Sequence, residues 1–158
     1  MDYVQAGAIA IHTLAMILVV GYYGILGRVI LPALRGSLAG PVLGTTLVTV
    51  ERRARPLLLL SVGLFVATGA FLLLADDQSE GIGNFFATTW TTLMLIKHGL
   101  IVVMVVLAGM VDFLVSEVAY AETDLERDRL IGRLGLTTEA TTGVGAFVVV
   151  LTAVAQVS

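Results

Sequence analysis

Tyr3–Gly27 reads YVQAGAIAIHTLAMILVVGYYGILG, 25 residues without one Asp, Glu, Lys or Arg. A helix rises about 1.5 Å per residue, so about 20 such residues cross a hydrocarbon layer about 30 Å thick. The stretch is long and apolar enough to span a bilayer. Three more stretches qualify: Leu57–Ala75 between Arg55 and Asp76, Phe85–Val111 interrupted only by Lys97 and His98, and Ala140–Ser158. With 58% hydrophobic and 13% charged residues over 158 positions, the chain lies far from the average soluble domain. The runs are continuous, not alternating, which argues for helices over a transmembrane β-barrel. The expected fold is therefore all-α, an integral membrane four-helix bundle in one domain over residues 1–158. Its spans are expected at about 4–30, 57–75, 85–114 and 138–157, with connecting loops at about 31–56 and 115–137.

The charges orient it. Arg28, Arg35, Arg52, Arg53 and Arg55 fall between the first and second spans, and Arg127, Arg129 and Arg133 between the third and fourth. The opposite side carries Asp2, Asp76, Asp77 and Glu80 and no basic residue. Positive residues stay inside, so both arginine-bearing loops are predicted cytoplasmic and both termini non-cytoplasmic, in a plasma (inner) membrane. No Lys or Arg precedes Arg28, so the first helix lacks the basic n-region of a cleaved signal and is expected to be retained. The chain has no cysteine and no basic face, which excludes thiolate metal sites, disulfides and nucleic-acid binding.

Gly36–Val50 is uncharged but short, and Gly36, Gly40, Pro41 and Gly44 read as breaks, giving a loop or interfacial segment. After the third span, Ala119, Leu125, Leu130 and Ile131 suggest a charged helical extension. The turn back is expected at Gly132–Gly135, with Thr137 and Thr138 capping the fourth helix ahead of Glu139.

The two histidines, His12 and His98, each fall inside a span, where ionisable groups are expensive and mark function. Measured from Tyr3 and Trp90 as interfacial aromatics, both lie about 12 to 13 Å deep. The first and third helices run in the same direction, so two neutral imidazoles at one level suit a bis-histidine haem iron. Met16, four residues after His12, and Met94, four before His98, share those helix faces and would complete a thiolate-free Cu(I) site. Lys97 adjoins His98 but points about 100° away from it. It snorkels outward, pairs with a haem propionate, or ligates when neutral. The plainer readings are imidazoles bonded to carbonyls or hydroxyls and methionines that simply pack. All carboxylates are read as lying in loops or at helix ends, no hydrolase arrangement is present, and no phosphate-binding glycine loop occurs.

Several segments together resemble the copper-resistance family CopD, and more distantly the four-helix haem-linked proteins of the HemJ type. They are His12, Gly21-Tyr22-Tyr23-Gly24, Val29-Ile30-Leu31-Pro32-Ala33-Leu34-Arg35, Arg52-Arg53-Ala54-Arg55-Pro56, Ala67-Thr68-Gly69, the Lys97 neighbourhood and Glu139. The resemblance implies a four-helix core that handles haem or copper in the outer half of the membrane. In HemJ-like proteins a first-helix histidine and a third-helix lysine form the functional pair, which maps onto His12 and Lys97. His98 departs from that pattern.

The leading expectation is a cytochrome b-like protein holding haem b between His12 and His98 and relaying electrons in a larger membrane complex or homo-oligomer, or to a quinone. It is read as an electron-transfer or accessory subunit in the lipid bilayer before a stand-alone enzyme. The alternative is a copper-binding or copper-import protein of CopD type using His12, Met16, Met94 and His98. A second alternative is a cofactor-free structural subunit.

Overall fold

The computed structural model describes residues 3–74 and 89–155. The first crossing is α1 (Tyr3–Ile25), a π-helical turn (Leu26–Ile30) and α2 (Leu31–Ser37) in unbroken succession. Pro32 explains the widened turn. It has no N–H to donate and its ring crowds the carbonyl four residues back, so the backbone opens and Leu31 N–H reaches the Leu26 carbonyl instead. Gly27 lies in this turn, and a Cβ there would stand 3.0 Å from the Thr138 Cβ.

α3 runs from Gly40 to Leu74, α4 from Thr89 to Tyr120 and α5 from Asp124 to Ala155. Among the described residues, four stretches are long and apolar enough to cross a membrane: Tyr3–Ser37, Gly40–Leu72, Leu95–Tyr120 and Asp124–Thr152. The all-α four-helix membrane fold is as expected from the sequence. Adjacent pairs are α1 with α3, α3 with α4, α4 with α5 and α5 with α1, which closes a ring and puts α1 and α4 on its diagonal. Val111, Val115, Val118, Leu134, Leu26, Leu47 and Val148 fill the centre, while Leu59, Val66, Val102, Val106 and Phe113 point outward, as lipid permits.

Two local expectations are corrected. Gly40–Val50 is helical, the first part of a 35-residue α3, where breakers had suggested a loop. Pro41 sits in the first turn, where the missing N–H has no helical partner to lose. Gly44 is a contact surface, with a Cβ there falling 2.8 Å from the Ala119 Cα. Leu43 and Leu47 are buried beside it, so burial holds this segment helical. The helix also continues through Pro56.

The second correction concerns the turn back, which occurs at Ala121–Thr123 and not at Gly132–Gly135. Thr123 Oγ1 accepts the Glu126 N–H at 3.2 Å, and Thr123-x-x-Glu126 has the spacing of a capping box. Thr137 and Thr138 are therefore inside α5, buried, and their hydroxyls donate to the carbonyls of Arg133 and Gly135. Glu139 likewise lies within the helix. Replacing Thr123 by alanine should lower stability by about 0.5–2 kcal/mol, measured as a fall in the midpoint of unfolding in mild detergent.

Candidate functional site

His12 lies on the buried face of α1 with Ala8, Ala15, Met16 and Val19. Its Nδ1 is 3.0 Å from the Phe65 carbonyl oxygen and 3.1 Å from Thr68 Oγ1, both on α3. A carbonyl can only accept, so in the neutral ring Nδ1 carries the proton and Nε2 keeps its lone pair. Thr68 donates its own proton back to the Leu64 carbonyl at 2.6 Å, which leaves its oxygen free to accept. The ring also stacks on Phe65, with centroids 4.1 Å apart and planes 21° from parallel. Gly69 makes room: a Cβ there would meet His12 Cε1 at 3.0 Å. Three features of one helix face thus hold the imidazole in a single orientation. This is how metal-binding histidines are held, with one nitrogen bonded to a carbonyl and the other left to ligate.

Met16, one turn from His12, is 4% exposed and belongs to the central apolar cluster. On α4, the neighbours Lys97 and His98 separate as the 100° rotation requires: Lys97 is buried at 9% exposure, and His98 is exposed on the outer face. Both lie within electrostatic reach of His12. The structure therefore brings Lys97, not His98, to the inner face of α4. The side chains of Met94 and Trp90 lie outside the described residues. Met104, seven residues beyond Lys97 on the same inward face, is buried at 5% exposure. Its sulfur stands 3.4 Å from where a Gly145 Cβ would lie. Sequence reasoning had passed it over because it is not spaced at one turn from a histidine.

Glu51 was also missed. It is the buried carboxylate of α3, 8% exposed, and it accepts a hydrogen bond from the Tyr22 hydroxyl at 2.5 Å. The expectation that carboxylates sit only in loops or at helix ends fails here, because α3 begins eleven residues earlier and carries Glu51 along its inner face. The signal lay in the spacing of Glu51 and Arg55, which puts both on one helix face.

Among the described residues no three His, Cys, Asp or Glu side chains gather closely enough to hold a metal ion. A cation at His12 would need softer or neutral donors, and Met16 is placed one turn away. Residues 48–155 match the family model described as copper resistance protein D, CopD. The chain belongs to the CopD family. The match starts within α3 and runs through α4 and α5, so it covers Glu51, Phe65, Thr68, Lys97 and Met104, while His12 and Met16 precede it. No curated protein and no solved structure matches this CopD-family chain. The HemJ similarity finds no support in these comparisons, and neither does haem.

Gly69 offers a test of how tightly this CopD-family protein positions its imidazole. Gly69→Ala places a methyl against Cε1 and forces the ring from the Phe65 carbonyl. A Cu(I) ion ligated by His12 would then be held about 10-fold more weakly, the lower end of what partners of a ligating histidine contribute, as read by competition with a Cu(I) chelator.

Proposed function

We propose that this CopD-family protein handles copper within the plasma membrane, with His12 Nε2 and the Met16 thioether receiving Cu(I) between α1 and α3. The observation that carries the reading is the His12 ring, fixed through Nδ1 to the Phe65 carbonyl with Nε2 left to bind. Imidazole and thioether suit Cu(I), which favours soft donors and needs no carboxylate. Lys97 supplies a further nitrogen when neutral and repels a cation when charged, so its protonation sets access to the site. Residues 1–158 act as one four-span domain, the arginine-bearing connections facing the cytoplasm and the two ends facing outward, which opens the His12 level to the outer side.

The haem reading required His12 and His98 to face each other across the bundle. His98 instead lies on the exposed face of α4. Purification from native membranes in mild detergent separates the two. A colourless protein that takes up one Cu(I) per chain supports the proposal. A Soret band, lost in His12→Ala, overturns it in favour of haem.

A further inference from the structure

Some fifteen ångströms along α1 from His12, taking ten residues at about 1.5 Å each, a second polar cluster closes the other end of the α1–α3 seam. Tyr22 donates to Glu51 Oε2 from α1, and Tyr23 also faces Glu51 from that helix. From α3 itself comes Arg55, one turn beyond Glu51. From α4 comes Asp112, whose two carboxylate oxygens accept from Arg55 Nη2 at 2.5 and 2.6 Å. Among the described residues these are the titratable and charged groups that face Glu51.

Counting charge decides what the cluster can hold. Two carboxylates and one guanidinium leave one uncompensated negative charge, and the tyrosines are neutral. An uncompensated charge in a low-dielectric seam is expensive, so the cluster recruits one positive charge. Asp112 already has Arg55 and is partly open, its side chain 42% exposed. Glu51 has a neutral phenol as its hydrogen-bond donor and is buried.

We propose that Glu51 is a proton-exchange site: its carboxyl holds one proton on Oε1 while Tyr22 donates to Oε2, and Arg55 determines which of the two carboxyl groups keeps it. When the proton leaves to water at the arginine-bearing end, Arg55 lies on the same helix face to meet the new carboxylate, and Asp112 then loses its partner. One proton is taken up or released per cycle and no bond between heavy atoms changes. The site does not depend on copper being the cargo.

Infrared spectra of the protein in lipid bilayers test this. At neutral pH the wild-type chain should show a carboxylic-acid C=O band that shifts in heavy water, disappears in Glu51→Gln and persists in His12→Ala. Asp112→Asn is the discriminating variant. With one carboxylate removed the charge count closes without a proton, so Arg55 pairs with Glu51 and the acid band should vanish although Glu51 is still present and buried. An acid band retained in Asp112→Asn, or none assignable to Glu51 in the wild type, overturns the proposal. Should Glu51→Gln not fold, the wild-type and Asp112→Asn difference spectrum carries the test alone.

Discussion

Replacing His12 by alanine is expected to weaken Cu(I) binding by more than about 100-fold in chelator competition, while His98→Ala leaves it unchanged. Removing a group that merely orients a ligating histidine costs about 10–100-fold, so losing the proposed ligand itself should exceed that range. Thr68→Val, which removes one of the two groups near Nδ1 and keeps the Phe65 carbonyl, should fall between the two variants. The contrast with His98 rests on burial. His12 is turned into the seam against α3, and His98 lies on an exposed face of α4, about 100° around the helix from its buried neighbour Lys97. His12→Ala protein that binds Cu(I) like the wild type would sink the site. Equal losses in both histidine variants would instead restore the paired-imidazole arrangement.

The largest effect on stability should come from Gly44→Val. A Cβ at residue 44 would lie 2.8 Å from the Ala119 Cα and 3.0 Å from the Val118 carbonyl oxygen, both backbone atoms of α4. A side chain can rotate away from such a contact, but backbone inside a helix cannot. α3 and α4 must therefore separate, parting Leu43 and Leu47 from the core. Overpacking typically costs 1–3 kcal/mol, and a contact with immovable backbone should reach at least the top of that range, about 3 kcal/mol. The readout is the unfolding midpoint in detergent, with Gly63→Ala as control. A Cβ at residue 63 meets nothing within 4 Å, so that change should be neutral or, through helix propensity, stabilising by up to about 1 kcal/mol. Equal destabilisation by both variants would show that close approach of α3 and α4 is not what Gly44 provides.

The breakers that misled the sequence reading are explained by the same contacts. Gly40 and Gly44 read as loop residues, yet one faces the Arg127 side chain and the other the α4 backbone. Glycine in water-exposed chain signals a turn; glycine between membrane helices signals close approach, and the letter is the same in both cases. Gly132 and Gly135 misled for a different reason: a Cβ at residue 132 would meet nothing within 4 Å and one at residue 135 only Leu31 at 3.7 Å, while Thr123 and Glu126 had already set the helix start at Asp124. By contrast, the buried, hydrogen-bonded setting of His12 was legible, because an imidazole in an apolar run needs a partner wherever it points. Glu51 was hidden because its neighbours Arg52, Arg53 and Arg55 made the segment look like solvated loop.

By itself, then, the sequence determined that the chain is a membrane protein of four apolar helices, since length and hydropathy are properties of each segment alone and need no knowledge of its neighbours. Which side of each helix faces inward was decided only by tertiary structure. In water an apolar stripe would have marked the buried face, but lipid accepts the same residues that the core does, and the stretches of α1 and α4 around His12 and Lys97 are apolar nearly all round. So Lys97 and His98, adjacent in the chain and 100° apart on α4, could not be sorted from sequence. Packing against α3 and α5 sorted them, burying the lysine and leaving the histidine exposed.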